Sequence, residues 1–311
     1  MGWYAFLVNH IVRPYLPAKF KGIDARGLNF VDHDGQIPRN RSGWRYYFDD
    51  GHQPYSSRLG VLAKQILELT HDAPMRRLEA IYAHLYIDEV QDLGGNDLVI
   101  LEKIMGSSID VFITGDVRQS VLTTSKSDRL NGSYRGANLV SWFRQKAVAG
   151  VCKLTLAETS RRFNHTIARL SDLVHDPALS LPATTGAFLE TSDHDGVFLV
   201  DDMHLGEYVR AWRPTLLRSQ VSPRVIPDAE IFNFGASKGI TRDRVAILTT
   251  LPIQRWLVSR APLADRSAAG LYVAATRGRY SVALVAPRAK RISSQLHTDF
   301  GAIVQLWEPS S

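Results

Sequence analysis

Two short apolar runs that end in polar tips set the pattern of the chain. His84-Leu85-Tyr86-Ile87 climbs to Asp88-Glu89-Val90-Gln91-Asp92, and about thirty residues on Val111-Phe112-Ile113 climbs to Thr114-Gly115-Asp116-Val117-Arg118-Gln119-Ser120. Apolar runs this short, with polar or glycine-bearing ends, predict buried strands. In an open α/β sheet the carboxyl ends of the strands are where ligands bind.

The remaining periodicity surrounds these runs with helices. Residues 3–16 carry apolar positions at helical spacing and stop at Pro14 and Pro17. Residues 58–83 predict a long helical stretch broken near Pro74, residues 96–105 and 137–149 predict helices, and the polar stretch 123–136 predicts a loop. Residues 21–58 are rich in Gly, Asp, Arg and aromatics and predict a small excursion with a hairpin. Within it Trp44, Arg45, Tyr46 and Tyr47 suit either stacking on bases or an ordinary half-buried strand. The character changes at Gly150. Strands are expected over 151–156, 197–201 and 244–249, with a turn and strand over 225–232 and a last strand over 281–286. Helices are expected from about residue 164 to 174 and over 204–212. Strand and helix alternate in both halves, which predicts an α/β protein of two mostly parallel units. The expected division is a first domain over 1–150 and a second over 151–311.

Composition changes this picture little. The chain has 311 residues, 45% of them hydrophobic and 22% charged, enough for two ordinary cores. No apolar run reaches the length of a membrane span, and the N-terminus lacks the basic region and cleavage site of a signal peptide. The single cysteine, Cys152, excludes an internal disulfide and a cysteine-based zinc cluster; it reads as a small buried apolar residue and implies a reducing, cytoplasmic setting. A net charge of +6 favours a polyanionic partner.

The polar tips carry the candidate chemistry. Adjacent carboxylates at Asp88 and Glu89 suit a hydrated magnesium ion and a water to be deprotonated. Gly115-Asp116-x-x-Gln119 suits a phosphate sensor, and together they point to nucleoside triphosphate hydrolysis. An acidic pair at a strand end also serves simply to cap a helix. The functional reading gains from two further stretches in sequence order, Ser237-Lys238-Gly239 and Thr276-Arg277.

With these stretches in place, the chain resembles the UvrD/Rep group of superfamily 1 helicases, in which two RecA-like domains clamp ATP and walk along single-stranded DNA. Asp88–Asp92 is similar to the DExQD box and Gly115–Ser120 to the GDxxQS box. The stretch around Arg161 resembles the arginine motif that follows, Gly235–Val245 the HxSKGLEFDxV box, and Tyr272–Arg279 the YVAxTRA box. The resemblance covers roughly residues 84–286. It implies that Asp88 holds Mg2+, that Glu89 is the general base, and that Gln119 senses the γ-phosphate of ATP. It makes Arg161 and Arg277 arginine fingers. Gly239 would lie at the nucleotide, and Ser237 and Lys238 would touch nucleic acid. Tyr134 stands in for a base-stacking aromatic, and Trp44 is a further candidate for base contact. The implied partner is single-stranded or partly duplex DNA, with no membrane.

The pattern is also departed from. A phosphate-binding loop requires G-x-x-x-x-G-K-[ST], and the chain has no Gly-Lys dipeptide. In the family that loop lies upstream of everything seen here. A truncated product, a separate polypeptide supplying the loop, and a degenerate helicase kept for binding are the competing expectations. Gly235 stands where the family usually has His, and Thr241 where it often has an acid. Only about seventy residues separate Arg161 from Gly235, so the second domain is expected to be compact. The resulting expectation is an ATP-dependent helicase or translocase of UvrD-like type with little or no ATPase in this chain alone. The alternative is a non-catalytic nucleic-acid-binding module or subunit of a split helicase, in which Lys238, Arg242, Arg244 and the basic stretch 288–291 matter more than Glu89.

Overall fold

The computed structural model describes residues 1–30, 37, 42–121, 124, 130–220 and 229–309. The chain forms two compact units, one of Met1–Val117 with Leu122–Leu154 and the other of Arg118–Val121 with Thr155–Ser311.

The first unit opens on α1 (Trp3–Phe6), which runs through a π-helical stretch over Leu7–Val12 into α2 (Arg13–Tyr15). The spacing predicted a plain helix. The wider π turn instead brings Leu7, Val8, His10, Ile11 and Val12 all inward. α3 (Ser56–Leu69) and α4 (Ala73–Ile81) follow. The break falls just before Pro74, at His71 and Asp72, both in the left-handed region. Pro74 then opens α4, where its missing N–H costs nothing. The expected hairpin within 21–58 is a reversal rather than a ladder. The Asp49 carboxylate accepts from the Gly51 and Gln53 amides, and Phe48 bridges Pro54. The aromatic run before it is a 3-10 helix, Gly43–Tyr46, and Tyr47 and Phe48 are core residues. Of the expected loop over 123–136, residues 123 and 125–129 lie outside the described residues; Gly132–Tyr134 within it is a 3-10 turn.

β1 (His84–Ile87), α5 (Asn96–Met105), β2 (Asp110–Ile113) and α6 (Leu139–Val148) complete this unit. β1 and β2 pair in parallel, Leu85 with Val111 and Ile87 with Ile113. These inward residues pack into the unit's two cores. The expectation of buried strands is met on one face only: Tyr86 is 77% exposed and Phe112 52% exposed, and their rings stack at 5.1 Å on the outer face. An apolar run reports strand propensity but not whether both faces are covered. Among the described residues this sheet has two strands only.

The strand expected over 151–156 is absent. Cys152 and Leu154 do alternate inward, onto the first unit's core, but among the described residues no partner strand lies beside them, and the chain changes units after Leu154. Pairing begins later, where β3 (Thr159–Ser160) meets β4 (Thr185–Gly186). Between them lies α7 (His165–Asp172), N-capped by the Asn164 side chain accepting from the Ile167 amide.

The rest of the second unit is a doubly covered parallel sheet. Its elements in order are β5 (Gly196–Asp201), α8 (Leu205–Trp212), β6 (Thr215–Arg218), β7 (Ile231–Asn233), β8 (Arg242–Leu248), α9 (Leu251–Ser259) and α10 (Asp265–Ala275). β9 (Gly278–Ala286), α11 (Ala289–Ser294), α12 (Thr298–Gly301) and β10 (Val304–Trp307) follow. The six strands lie in the order β10-β5-β9-β8-β6-β7, every neighbour parallel. Alternation sorts the two faces. Val197, Leu199, Val245, Ile247, Val282 and Leu284 meet α7, α9 and α10. Phe198, Val200, Ala246, Ala283 and Val285 meet α8. Continuous apolar runs are what a parallel sheet with helices on both faces requires. Beside α8, His194 is stacked between the rings of Phe198 and Trp212, 3.9 Å from each and nearly parallel to both.

Candidate functional site

The tips of β1 and β2 form one hydrogen-bonded turn in the first unit. The Ile87 carbonyl accepts from the Thr114 amide at 2.8 Å, and the Val90 amide donates to the Thr114 carbonyl at 3.1 Å. Between these bonds Glu89 sits in the left-handed region, φ 56°, ψ 38°. That turn buries Val90 and leaves Asp88 and Glu89 exposed. Asp88 Oδ1 accepts from the Glu89 amide at 2.8 Å and from Thr114 Oγ1 at 2.7 Å. Gln91 is buried behind the acids. Its Nε2 donates to Glu89 Oε2, and its Oε1 accepts from the Asp116 amide at 3.1 Å.

Gly115 is dictated by this arrangement. A Cβ there would collide with Gln91 Oε1 and come within 2.9 Å of Val90 Cγ1. The glycine of the second box therefore leaves room for both Val90 and the glutamine of the first. Thr124 is tied to the same region: its amide donates to the Asp92 carbonyl at 2.9 Å, and its carbonyl accepts from the Tyr4 hydroxyl at 2.8 Å. Among the described residues no cluster of three His, Cys, Asp or Glu side chains stands ready as a metal cage. An exposed carboxylate beside a hydroxyl suits an ion that keeps most of its waters and takes further oxygens from a phosphate, as magnesium does.

The second unit brings Gln119 and Arg277 together. Arg277 is fully buried. Its Nε donates to the Val273 carbonyl at 2.8 Å, Nη1 to the Ile240 carbonyl at 3.2 Å, and Nη2 to Thr276 Oγ1 at 3.2 Å and Gln119 Oε1 at 3.5 Å. The guanidinium thus also closes the C-terminal end of α10, where helix carbonyls and dipole favour a cation. Arg161, by contrast, is exposed in the bend before α7.

Ser237 is buried and donates to the Phe234 carbonyl at 2.7 Å, Lys238 is half-buried, and Gly239 is exposed at φ 88°. Tyr134 is half-buried, with its hydroxyl donating to Gln145 Oε1 at 2.7 Å. Trp44 packs edge-on to His52 at 4.9 Å, with the Arg45 guanidinium 4.4 Å over its ring. Arg242 makes two 2.9 Å bonds to Glu230 and holds that carboxyl below its usual range, while Arg244 meets Asp193 and Ser192 at 3.0 Å. The charges of both arginines are therefore met within the unit.

Two participants carry no signal in the sequence that marks their role. Thr114 partners Asp88 and was visible only as the last residue before Gly115. Arg118, inside the second box, is held by Asp172, Thr184 and Pro182, residues that carry no local pattern.

No protein-family model and no curated protein matches the chain. Among solved structures it is similar to Arterivirus nonstructural protein 10 (helicase), in a crystal structure of the protein and in a complex structure with DNA. Each is 17% identical with a TM-score of 0.41 over 68% of this chain. The matched part is 40% and 41% of those chains, so this chain corresponds to about two fifths of their length. No helix among the described residues is long and apolar enough to cross a membrane.

Proposed function

We propose that the chain is a nucleotide- and DNA-binding module of the superfamily 1 helicase type, resembling the UvrD/Rep group and built on RecA-like domains. The observation that carries this reading is the joint turn at the tips of β1 and β2. There Gln91 links the acidic pair to the Gly115-Asp116 turn, at the strand ends where an α/β sheet binds its ligands. In this reading Asp88 helps hold Mg2+, which supplies charge neutralisation at the phosphates of ATP. Glu89, held by Gln91, would take the proton of an attacking water. Gln119, Arg161 and Arg277 would serve the γ-phosphate, Gly239 would lie at the nucleotide, and Ser237, Lys238, Tyr134 and Trp44 would serve single-stranded or partly duplex DNA. The chain contains no Gly-Lys dipeptide, so its own ATPase is expected to be slight, with the phosphate loop supplied by another polypeptide segment.

A second reading, a non-catalytic binding module, draws on the burial of Arg277, whose donors already meet the unit's own acceptors. Fluorescence anisotropy with a labelled oligothymidine, titrated with salt in the presence and absence of Mg2+ and a non-hydrolysable ATP analogue, separates the two. The helicase-type reading expects the nucleotide to change DNA affinity and Asp88→Asn to abolish that change. An affinity and salt slope indifferent to nucleotide would leave only the binding module. DNA-stimulated hydrolysis lost on Glu89→Gln would overturn the expectation of slight activity.

A further inference from the structure

Arg118–Val121 belong to the second unit although they follow directly on the polar tip of β2. Among them Arg118 is anchored there, and its side chain is 12% exposed. Its Nη1 donates to Thr184 Oγ1 at 2.8 Å and its Nη2 to the Pro182 carbonyl at 2.7 Å. Asp172 Oδ1 lies 3.4 Å from Nη1 and also accepts from Thr184 Oγ1 at 2.7 Å, while Oδ2 accepts from the Thr184 amide at 2.6 Å. The guanidinium therefore meets an acceptor cluster that is itself closed. At the other end of the residue His175 Nε2 lies 3.1 Å from the Arg118 carbonyl, which fixes that nitrogen as the donor. His175 also rests edge-on against Tyr272 at 5.6 Å. Arg118 is thus gripped through both its side chain and its backbone.

The next residue is Gln119. Its Oε1 accepts from Arg277 Nη2 at 3.5 Å, at the outer limit of a hydrogen bond. The charge-assisted bonds of Arg118 are shorter and about twice as strong each as neutral ones. We propose that Arg118 is a positioning residue, which fixes Gln119 to the unit that carries Arg277 through the Asp172–Thr184–Pro182 acceptors. The proposal deepens the helicase-type reading, and rests on it only for Gln119 as the phosphate sensor. A Gln119 fixed in this way reports phosphate gain or loss directly to Arg277 and α10.

Glutamine side-chain amides labelled with 15N give the test in the full chain, with Gln119 assigned by its loss in Gln119→Glu. The heteronuclear NOE of the Gln119 amide is expected to be that of a rigid group in the wild type, to fall clearly in Arg118→Ala and to fall less in the milder Thr184→Val. Gln254, on α9, should be unchanged in both. A rigid Gln119 amide in a folded Arg118→Ala protein overturns the proposal. In the anisotropy assay Arg118→Ala should lose the nucleotide effect on DNA affinity to the same extent as Gln119→Ala, with no further loss in the double variant. A wild type with no nucleotide effect sinks the proposed function instead, and the NMR measurement still decides the role of Arg118.

Discussion

Arg277→Ala is expected to destabilise the second unit severely. The side chain is fully buried, and its guanidinium meets the carbonyls of Val273 and Ile240 and the Thr276 hydroxyl. Removing it leaves a void beside α10 and strands those acceptors away from water. A hydrogen bond from a charged group contributes about 1.5–3 kcal/mol, and at least two are lost here, so the cost is about 3–5 kcal/mol. For a unit of this size that corresponds to a fall of roughly 6–20 °C in Tm. Arg277→Lys keeps the charge but not the planar fork, and should recover only part of the loss. Arg161→Ala is the control: the residue is exposed and should change stability by no more than about 0.5 kcal/mol. Scanning calorimetry without nucleotide measures all three. A loss below about 1 kcal/mol for Arg277→Ala would refute the reasoning. It would mean that the side chain leaves its carbonyls freely and is held for the phosphate alone.

Gly115→Ala forces a Cβ against Gln91 and Val90 and should cost about 1–3 kcal/mol, with loss of the Glu89–Gln91 contact; unchanged urea stability and an unchanged Gln91 side-chain amide resonance would contradict the shared turn. The His194 ring should titrate near 4, below its ordinary 6.5, because burial first and Arg244 second disfavour its cation more than Asp193 and Asp195 favour it. As pH falls from 6.5 toward 4 the unfolded chain takes up this proton before the folded one does, so stability complete above 6.5 is lost over that window. The loss is at most about 3 kcal/mol, and an NMR midpoint of the ring near 6.5 would contradict it.

The α/β class was legible because burial on two faces leaves a plain mark in sequence. Val197–Asp201 and Val282–Ala286 are nearly continuous apolar runs, and both became central strands. The spacing of residues 96–105 predicts a helix with the bounds the structure shows. β10 and α9 were not foreseen. β10 is four residues long, and α9 follows β8 through two threonines with no capping signal stronger than Thr250. The absence of a strand at 151–156 was equally hidden, since alternation of Cys152 and Leu154 reveals an inward face but not a hydrogen-bonding partner. At the site, the residue types around Asp88 were visible. What joined them was not: Gln91 acting on Gly115 and Asp172 acting on Arg118 are pairings over 24 and 54 positions, set by folding rather than by spacing.

Glu89 holds a backbone conformation that glycine adopts freely and that other residues adopt at a penalty of roughly 1–2 kcal/mol. A sequence chosen for stability alone would therefore drift toward glycine at this position and lose the carboxylate. The turn sets durability against chemistry at a single residue. Directed evolution toward heat resistance, without an activity screen, would erase the candidate base while leaving the fold intact.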